Sequence, residues 1–581
     1  MADPVQALTR RFQAALAAAL GAEHAATDPS LRRSAHADYQ ANVAMALGKR
    51  LGRPPREVAQ TILDHLDVAD LCSRTEIAGP GFINLHLRDD YLARELADTA
   101  TGDRLGLPSP PPETVVIDYS SPNVAKEMHV GHLRSTVIGD ALARTLEALG
   151  HRVIRQNHLG DWGTPFGMLI EHLIDLGAAS GAPGDAELAI RDLDEFYREA
   201  RAKFDADPAF ADRARRRVVL LQGGDEPTLA LWRRLIAAST RYFDAVYRRL
   251  GVTLTDRDIA GESLYNPELP RIIAELQQQG LARESDGALC VFPPGFTNKE
   301  GHPLPLIIRK QDGGYGYATT DLAALRYRLS TLGATRVLYV VGAPQNQHLT
   351  MIFQAARQAG WLSPPARAEH IAFGSVLGPD KKMFKTRSGG TIKLMELIDE
   401  AIERASKVVR DKNPELDPAA ADAVARAVGL GAVKYVDLSS DRIKDYIFDW
   451  TRMLAFDGNT APYLMYAHAR IRSIFRKTEG EAEAGTPADI VLREPAERAL
   501  ALELLRFGAV VTEVGDTLEP HRLCVYLYEL AGAFTGFYEK CPVLRAPDEA
   551  SRRSRLALCD LSARVLARGL DLLGIEAPER M

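Results

Sequence analysis

The chain is 581 residues long, carries a formal net charge of −6 and is 46% hydrophobic. A single hydrophobic core does not grow to that size, so roughly three to five units are expected at ~100–200 residues each. The ordinary apolar and charged fractions exclude general disorder, the acidic balance excludes a uniformly basic coat, and no run of ~18 apolar residues offers a membrane span.

From the N-terminus, MADPVQALTRRFQAALAAALGAEH reads as an amphipathic helix without the basic start and cleavage site of a signal peptide. Further helical segments follow, then the extended EIAGPGFINLHL, where Gly79-Pro80-Gly81 predicts a turn feeding a half-exposed strand that carries Phe82 and Asn84. These elements make a first α+β unit, residues 1–107, closed by the stiff linker PSPPPE at 108–113. Cys72, Cys290, Cys524, Cys541 and Cys559 are odd in number and scattered, which suits a reducing cytoplasm and offers no C-x-x-C zinc site, so no structural metal is expected.

The apolar run VVIDY (115–119) predicts a buried strand, and a helix is expected from about residue 131. Leu133, Val137, Leu142, Leu146 and Leu149 recur there at helical spacing, with Gly150 as a natural stop. RVIRQNHLGDWG adds a second strand and a glycine-rich turn, giving a βαβ pattern with parallel strands. The pattern resumes only in RVLYVVGAPQNQH (336–348) and HIAFGSVLG (370–378). Between them lies an insertion at about 177–250, which opens with the flexible GAASGAPGD and continues as charged helices. Its run Arg213, Arg215, Arg216 and Arg217 reads as a solvated helix face. The α/β unit thus spans 108–395. Residues 396–455 read as a helical linker and 456–581 as an all-helical unit, with an acidic, alanine-rich joint at EGEAEAGTPAD.

Ligands of an open α/β sheet bind at the carboxyl ends of its strands, where a helix start offers free N–H groups to an anion. His129 and His132 stand at such a start, with Gly131 between them permitting close approach. Imidazoles there could bond phosphate oxygens and stabilise charge developing in a transition state, or simply cap the helix. Far downstream, GPDKKMFKTRSGGTIKL (378–394) forms a cationic, glycine-bearing loop suited to a polyphosphate or an ordinary basic turn. The two together, on either side of a split sheet, are much more specific than either alone.

On these residues the chain resembles class I aminoacyl-tRNA synthetases, and among them the arginyl-tRNA synthetases. His129-Val130-Gly131-His132 is similar to the HIGH signature, and Lys382-Met383-Phe384-Lys385-Thr386 to KMSKS. Phe384 and Thr386 depart from that second consensus, and an extra Arg387 follows. SSPNVAKEMHVGHLRSTVIGD, HLGDWGTPFGMLI and DYIFDWTRMLAFDGNTAPYLMYAHARIRSIFRK resemble the arginine enzymes specifically, and the similarity runs to the final ERM.

The resemblance implies a Rossmann-like catalytic domain with a helical insertion, an N-terminal domain that binds the tRNA elbow, and a C-terminal anticodon-binding domain. It implies ATP, taken with Mg2+, L-arginine and tRNA(Arg) as substrates, a cytoplasmic monomer, and a first step that requires bound tRNA. His129, Gly131, His132, Lys382 and Lys385 would hold ATP, with Lys126 sharing the neutralisation of pyrophosphate. A guanidinium needs fixed carboxylates in bidentate reach, and the family pattern falls on Glu262 and Asp321, with Tyr317 beside them. Asn123 and Gln345 would take the α-amino and carboxylate groups. Phe82 and Asn84 would hold an unpaired elbow base, and Tyr463, Arg470 and Tyr538 unstacked anticodon bases. A paralogue of the same scaffold, specialised for antibiotic resistance or tRNA-dependent biosynthesis, is the alternative. A catalytically dead tRNA-binding protein and a small nucleotidyltransferase fit less well, since the catalytic residues and a large helical unit are both present.

Overall fold

The computed structural model describes residues 3–177, 193–384, 392–477 and 489–581. The predicted flexible stretch opening the insertion and the acidic joint, apart from their first and last residues respectively, lie outside the described residues, as does Lys385 with Thr386 and Arg387.

Three helices begin at Asp-Pro pairs. Asp3, Asp207 and Asp417 each accept a backbone N–H two residues on, while the following proline fills a position that needs no N–H donor. In the first of these, Pro4–Leu20, Leu8, Phe12, Ala15 and Leu16 form the buried stripe. It packs on the helix Pro55–Leu63, which lies against an antiparallel sheet in the order Leu31–Arg33, Tyr39–Ala41, Phe82–Leu87, Cys72–Ala78. The strand expected to be half-exposed is an interior one. Neighbours on both sides leave only Phe82 and His86 partly exposed, and Asn84 is 2% exposed.

The central sheet is wholly parallel, in the order Arg367–His370, Arg336–Tyr339, Thr114–Asp118, Arg152–Gln156. Its outer strand therefore ends at His370, where the sequence pattern had placed a start. Val376–Leu377 leaves this sheet and pairs instead with Tyr446–Ile447, held there because the Asp445 carboxylate accepts the Ser375 N–H at 2.5 Å. The connections run outward in opposite directions from the central pair, which puts the switch point, and hence the crevice, above Asp118 and Tyr339. A fully buried arginine locks that edge. Arg328, on the helix Tyr317–Ser330, donates to Gln156 Oε1 at 2.6 Å and Asp118 Oδ2 at 2.7 Å, joining the ends of adjacent strands.

The helix after the first strand runs from Val130 to Ala148, close to expectation. It is buried on nearly every side because the parallel sheet and the C-terminal helices enclose it. Arg134, 1% exposed, pairs with the buried Asp437 of the helix Pro418–Leu438. The insertion contributes Leu193–Ala206, Pro208–Gln222 and Glu226–Leu250. Its arginine run is only partly solvated, since Arg213 and Arg217 both bond Glu171 and tie the insertion to the helix Pro165–Asp175. An antiparallel sheet, Ala282–Ser285, Ala288–Val291 and Leu306–Arg309, was not anticipated. Its first turn is Asp286-Gly287, both left-handed, the pairing that two-residue hairpins favour.

Beyond Leu394 the described chain is helical except for Tyr446–Ile447. The last residues fold back on it. Buried Lys434 donates to Gly574 O at 2.5 Å, His468 Nδ1 bonds Pro578 O at 3.0 Å, and Arg472 bonds the Glu579 carboxylate at 2.7 Å.

Candidate active site

The loop leaving the central strand carries three non-glycine residues in left-handed conformation: Ser120, Ser121 and Ala125, with φ of 71°, 49° and 59°. Such backbone persists only where its surroundings hold it. Ser121 N–H donates to Asn157 Oδ1, Ser120 N–H to Ser135 Oγ, and Ala125 N–H to Ser239 Oγ, all within 3.0 Å.

His129 then caps the helix. Its Nδ1 accepts from Gly131 N–H at 3.0 Å, His132 Nδ1 accepts from His129 N–H at 3.1 Å, and the ring centroids are 4.1 Å apart. Burial pushes the pKa of both imidazoles down, that of His132 to about 4. A neutral ring whose Nδ1 accepts carries its proton on Nε2. Capping and ligand binding, posed by the sequence as alternatives, are therefore compatible: Nδ1 caps, and each Nε2–H remains a donor. A Cβ at Gly131 would lie 2.7 Å from His129 Cε1, so the cap geometry itself requires glycine there.

Beside this turn opens a cavity of about 1000 Å³, lined among others by Asn123, Lys126, Tyr197, Glu262 and Tyr317. Asn123 is fixed by close approach to the next turn, since a Cβ at Gly160 would sit 2.3 Å from Asn123 Oδ1. Glu262 starts a 3-10 turn and its carboxyl is raised to about 7, first by burial, then by the charges of Asp161 and Asp321. Tyr317, 75% exposed, opens its helix after Gly316. Asp321 follows one turn on and accepts from His348 Nε2 at 2.5 Å, which raises the histidine pKa. Gln345 does not line the cavity. Its exposed side chain precedes the helix Asn346–Gln358, which carries His348.

Lys126 lies in the same cavity, its Nζ 4.4 Å from the Tyr197 ring centroid. Lys382 is exposed on the turn Gly378–Lys382, closed by Gly378 N–H to Lys382 O at 2.8 Å. Phe384, in the departing position, stacks on Phe448 at 4.6 Å. The chain at Ile392 to Leu394 pairs with the histidine turn: Val130 N–H donates to Ile392 O and Leu394 N–H to Met128 O. The basic loop therefore ends against His129.

Of the residues assigned to tRNA, Phe82 keeps a partly exposed ring, while the Asn84 side chain is engaged within the sheet, accepting from Gln40 Nε2 at 2.8 Å. Exposed Arg470 lies over Tyr538, 4.9 Å from its centroid, and Tyr463 packs 5.6 Å from Tyr528. Tyr466 and Tyr528 are exposed on the same pair of helices. Tyr463, Tyr466 and Arg470 share one helical face, a spacing that would have flagged Tyr466.

A family model described as "tRNA synthetases class I (R), catalytic domain" matches residues 99–450. The arginyl tRNA synthetase N-terminal domain matches 6–87, and the DALR anticodon binding domain 464–581. The chain belongs to the arginyl-tRNA synthetases. It is 60% identical over 581 residues to an arginine–tRNA ligase of Thermobifida fusca, all of both chains being covered. To the arginine–tRNA ligase of Synechococcus elongatus it is 52% identical over 590 aligned positions, again covering all of each. Among solved structures, an arginyl-tRNA synthetase from Plasmodium falciparum superposes with TM-score 0.84 at 28% identity, covering 99% of each chain. One from Thermus thermophilus gives 0.81 at 28% identity, over 99% of this chain and 100% of that one. For an arginyl-tRNA synthetase, Asp161 and His348 are unanticipated supports behind the cavity wall, Asp161 acting on the charge of Glu262 and His348 bonding Asp321. Asp161 hides in HLGDWG as a turn residue, and His348 in APQNQH as a helix start.

Proposed function

We propose that the protein joins L-arginine to tRNA(Arg) through an arginyl-adenylate, releasing pyrophosphate and then AMP. One observation carries the substrate choice: Glu262, its carboxyl raised to about 7 first by burial and then by the charges of Asp161 and Asp321, stands beside Tyr317 in a cavity shared with Asn123 and Lys126. Pooled, partly buried carboxylates want a cation, and a planar guanidinium with five donors satisfies two of them at once.

In the first step an arginine carboxylate oxygen attacks the α-phosphorus of ATP, and the bond to the bridging β-phosphate oxygen breaks. Glu262 and Asp321 hold the guanidinium, His348 orients Asp321, and Asn123 holds the amino-acid end, with Gln345 entering from the cavity's edge. His129 and His132 donate from Nε2 to the phosphates, Gly131 lets them approach, and Lys126, Lys382 and Lys385 balance the departing pyrophosphate. ATP enters with Mg2+, which shields phosphate charge. In the second step a terminal ribose hydroxyl of tRNA attacks the adenylate carbonyl and AMP leaves. Phe82, with Asn84 as its buried support, meets the tRNA elbow. Arg470, Tyr538 and Tyr463 meet the anticodon, where base stacks contribute ~1–3 kcal/mol each.

The five buried free cysteines suit a reducing cytoplasm, and among the described residues no helix is long and apolar enough to cross a membrane. A monomer is the proposed working unit. Identity to arginine–tRNA ligases over the whole chain disfavours a specialised paralogue. Amino-acid-dependent ATP consumption, measured for each amino acid with and without total tRNA, tests the reading. Arginine alone should support turnover, and only with tRNA present; turnover with another amino acid, or none with arginine, overturns it.

A further inference from the structure

The insertion reaches the approach to the histidine turn. Three successive residues before the histidine turn are each held by it. Ala125 N–H donates to Ser239 Oγ at 3.0 Å, the Lys126 ammonium lies 4.4 Å from the Tyr197 ring centroid, and Glu127 N–H donates to Asp194 Oδ1 at 2.9 Å. Asp194 and Tyr197 are three apart in the first turn of Leu193–Ala206, on one helical face. The segment they hold is the one that strains through a left-handed Ala125 and leads, two residues beyond Glu127, to His129.

We propose that Asp194 and Tyr197 are positioning residues for the ATP step, fixing the Lys126 ammonium and the entry to the His129 turn from the helical insertion. A lysine stem has four rotatable bonds and a strongly hydrated head. Resting that head on a tyrosine face selects one orientation without neutralising its charge, so it still meets a phosphate as a full cation. Asp194 acts on the backbone, where an accepted N–H fixes the peptide between Lys126 and Glu127. An ion pair to Lys126 would have done the opposite, competing with the nucleotide. The insertion, which carries neither signature, thus sets the geometry on which the histidine turn depends.

This rests on Lys126 and His129 meeting the ATP phosphates, and the test separates the two claims. Full-length variants are compared in tRNA-dependent, arginine-dependent ATP–pyrophosphate exchange, reading kcat, KM for ATP and KM for arginine. Tyr197→Leu should lower kcat about fivefold to twentyfold, the scale of one partly desolvated cation–π contact, with KM for arginine unchanged. Tyr197→Phe, which keeps the ring face, should restore most of the rate. Asp194→Ala should slow the same step and Asp194→Asn, which keeps an acceptor for Glu127 N–H, should recover it. In a Lys126→Met background, Tyr197→Leu should add almost nothing. Full additivity there, or wild-type kcat in Tyr197→Leu, overturns the positioning role while leaving the phosphate assignment standing. Wild-type exchange by Lys126→Met alone overturns the phosphate assignment itself. If Tyr197→Leu fails to fold, the Asp194→Ala and Asp194→Asn pair decides, since equal rates in both exclude the backbone contact as the cause.

Discussion

His132 offers one donor and no charge. Its Nδ1 is spent on the His129 N–H, and burial holds its pKa near 4. His132→Ala should lower kcat by ~10²–10³, the scale of losing one donor at developing charge. Arginine binding should change little, and an unaltered kcat in rapid-quench assays would remove the residue from the phosphate site. Glu262 instead titrates near neutrality. Raised to about 7 by burial and by the neighbouring Asp161 and Asp321, it favours the folded protein below its ordinary carboxylate range, and that contribution is lost as pH rises through about 7. A bound guanidinium reverses the preference by stabilising the ionised form. KM for arginine should therefore climb as pH falls below about 7 and level off above it. Arginine should raise Tm more at pH 8 than at pH 6, and binding at pH 7 should release protons, which calorimetry in buffers of different ionisation enthalpy will reveal. Asp321→Asn keeps the shape but removes one charge from the fork, so kcat/KM for arginine should drop tenfold or more, the equivalent of ~1.4 kcal/mol. The preference for arginine over neutral citrulline should shrink with it; an unchanged preference places the guanidinium elsewhere.

At the scale of elements, the interior strand Phe82–Leu87 changes what its two candidate residues can be expected to do. Phe82 is partly exposed and can stack, so Phe82→Ala should raise KM for tRNA by an amount equivalent to ~1–3 kcal/mol and leave Tm nearly unmoved. Asn84 is buried and accepts from Gln40, so Asn84→Ala should lower Tm by leaving that amide unpaired, with tRNA affinity falling as a consequence. Thermal melts beside tRNA kinetics distinguish the two, and a stable Asn84→Ala enzyme with weak tRNA binding would contradict the buried placement. The sequence could not disclose this, because alternation along one strand says nothing of what pairs with it, and Gln40 lies 44 residues away. The histidine turn was legible for the converse reason. A cap, a glycine and a helical leucine repeat are all local. The hairpin at Asp286-Gly287 was local too, but its four-residue strands are too short for a periodicity to rise above the surrounding loops.

Across the whole molecule, long-range charge was the least legible feature. Arg134 with Asp437 and Arg328 with Asp118 are separated by 303 and 210 residues, and a buried ion pair leaves no pattern in either segment. The parallel sheet was readable from strand-helix alternation, and so was a ligand site at the carboxyl ends of its strands, whereas the strand order that places the switch point was not. Nor were Asp161 and His348, which set the charge of that site. One long-range contact has a practical reach. Buried Lys434 is bonded to the Gly574 carbonyl, and its pKa, lowered by burial to about 8, is supported by Asp140 of the catalytic helix. Deleting residues 574–581 should strand that ammonium, lower Tm and slow adenylate formation together; a truncated enzyme with native Tm would show the contact to be dispensable. For anyone handling the protein, its tail is then an internal part. A carboxypeptidase that nibbles it, or an affinity tag fused too tightly after Met581, would act as an inhibitor from the far end of the chain.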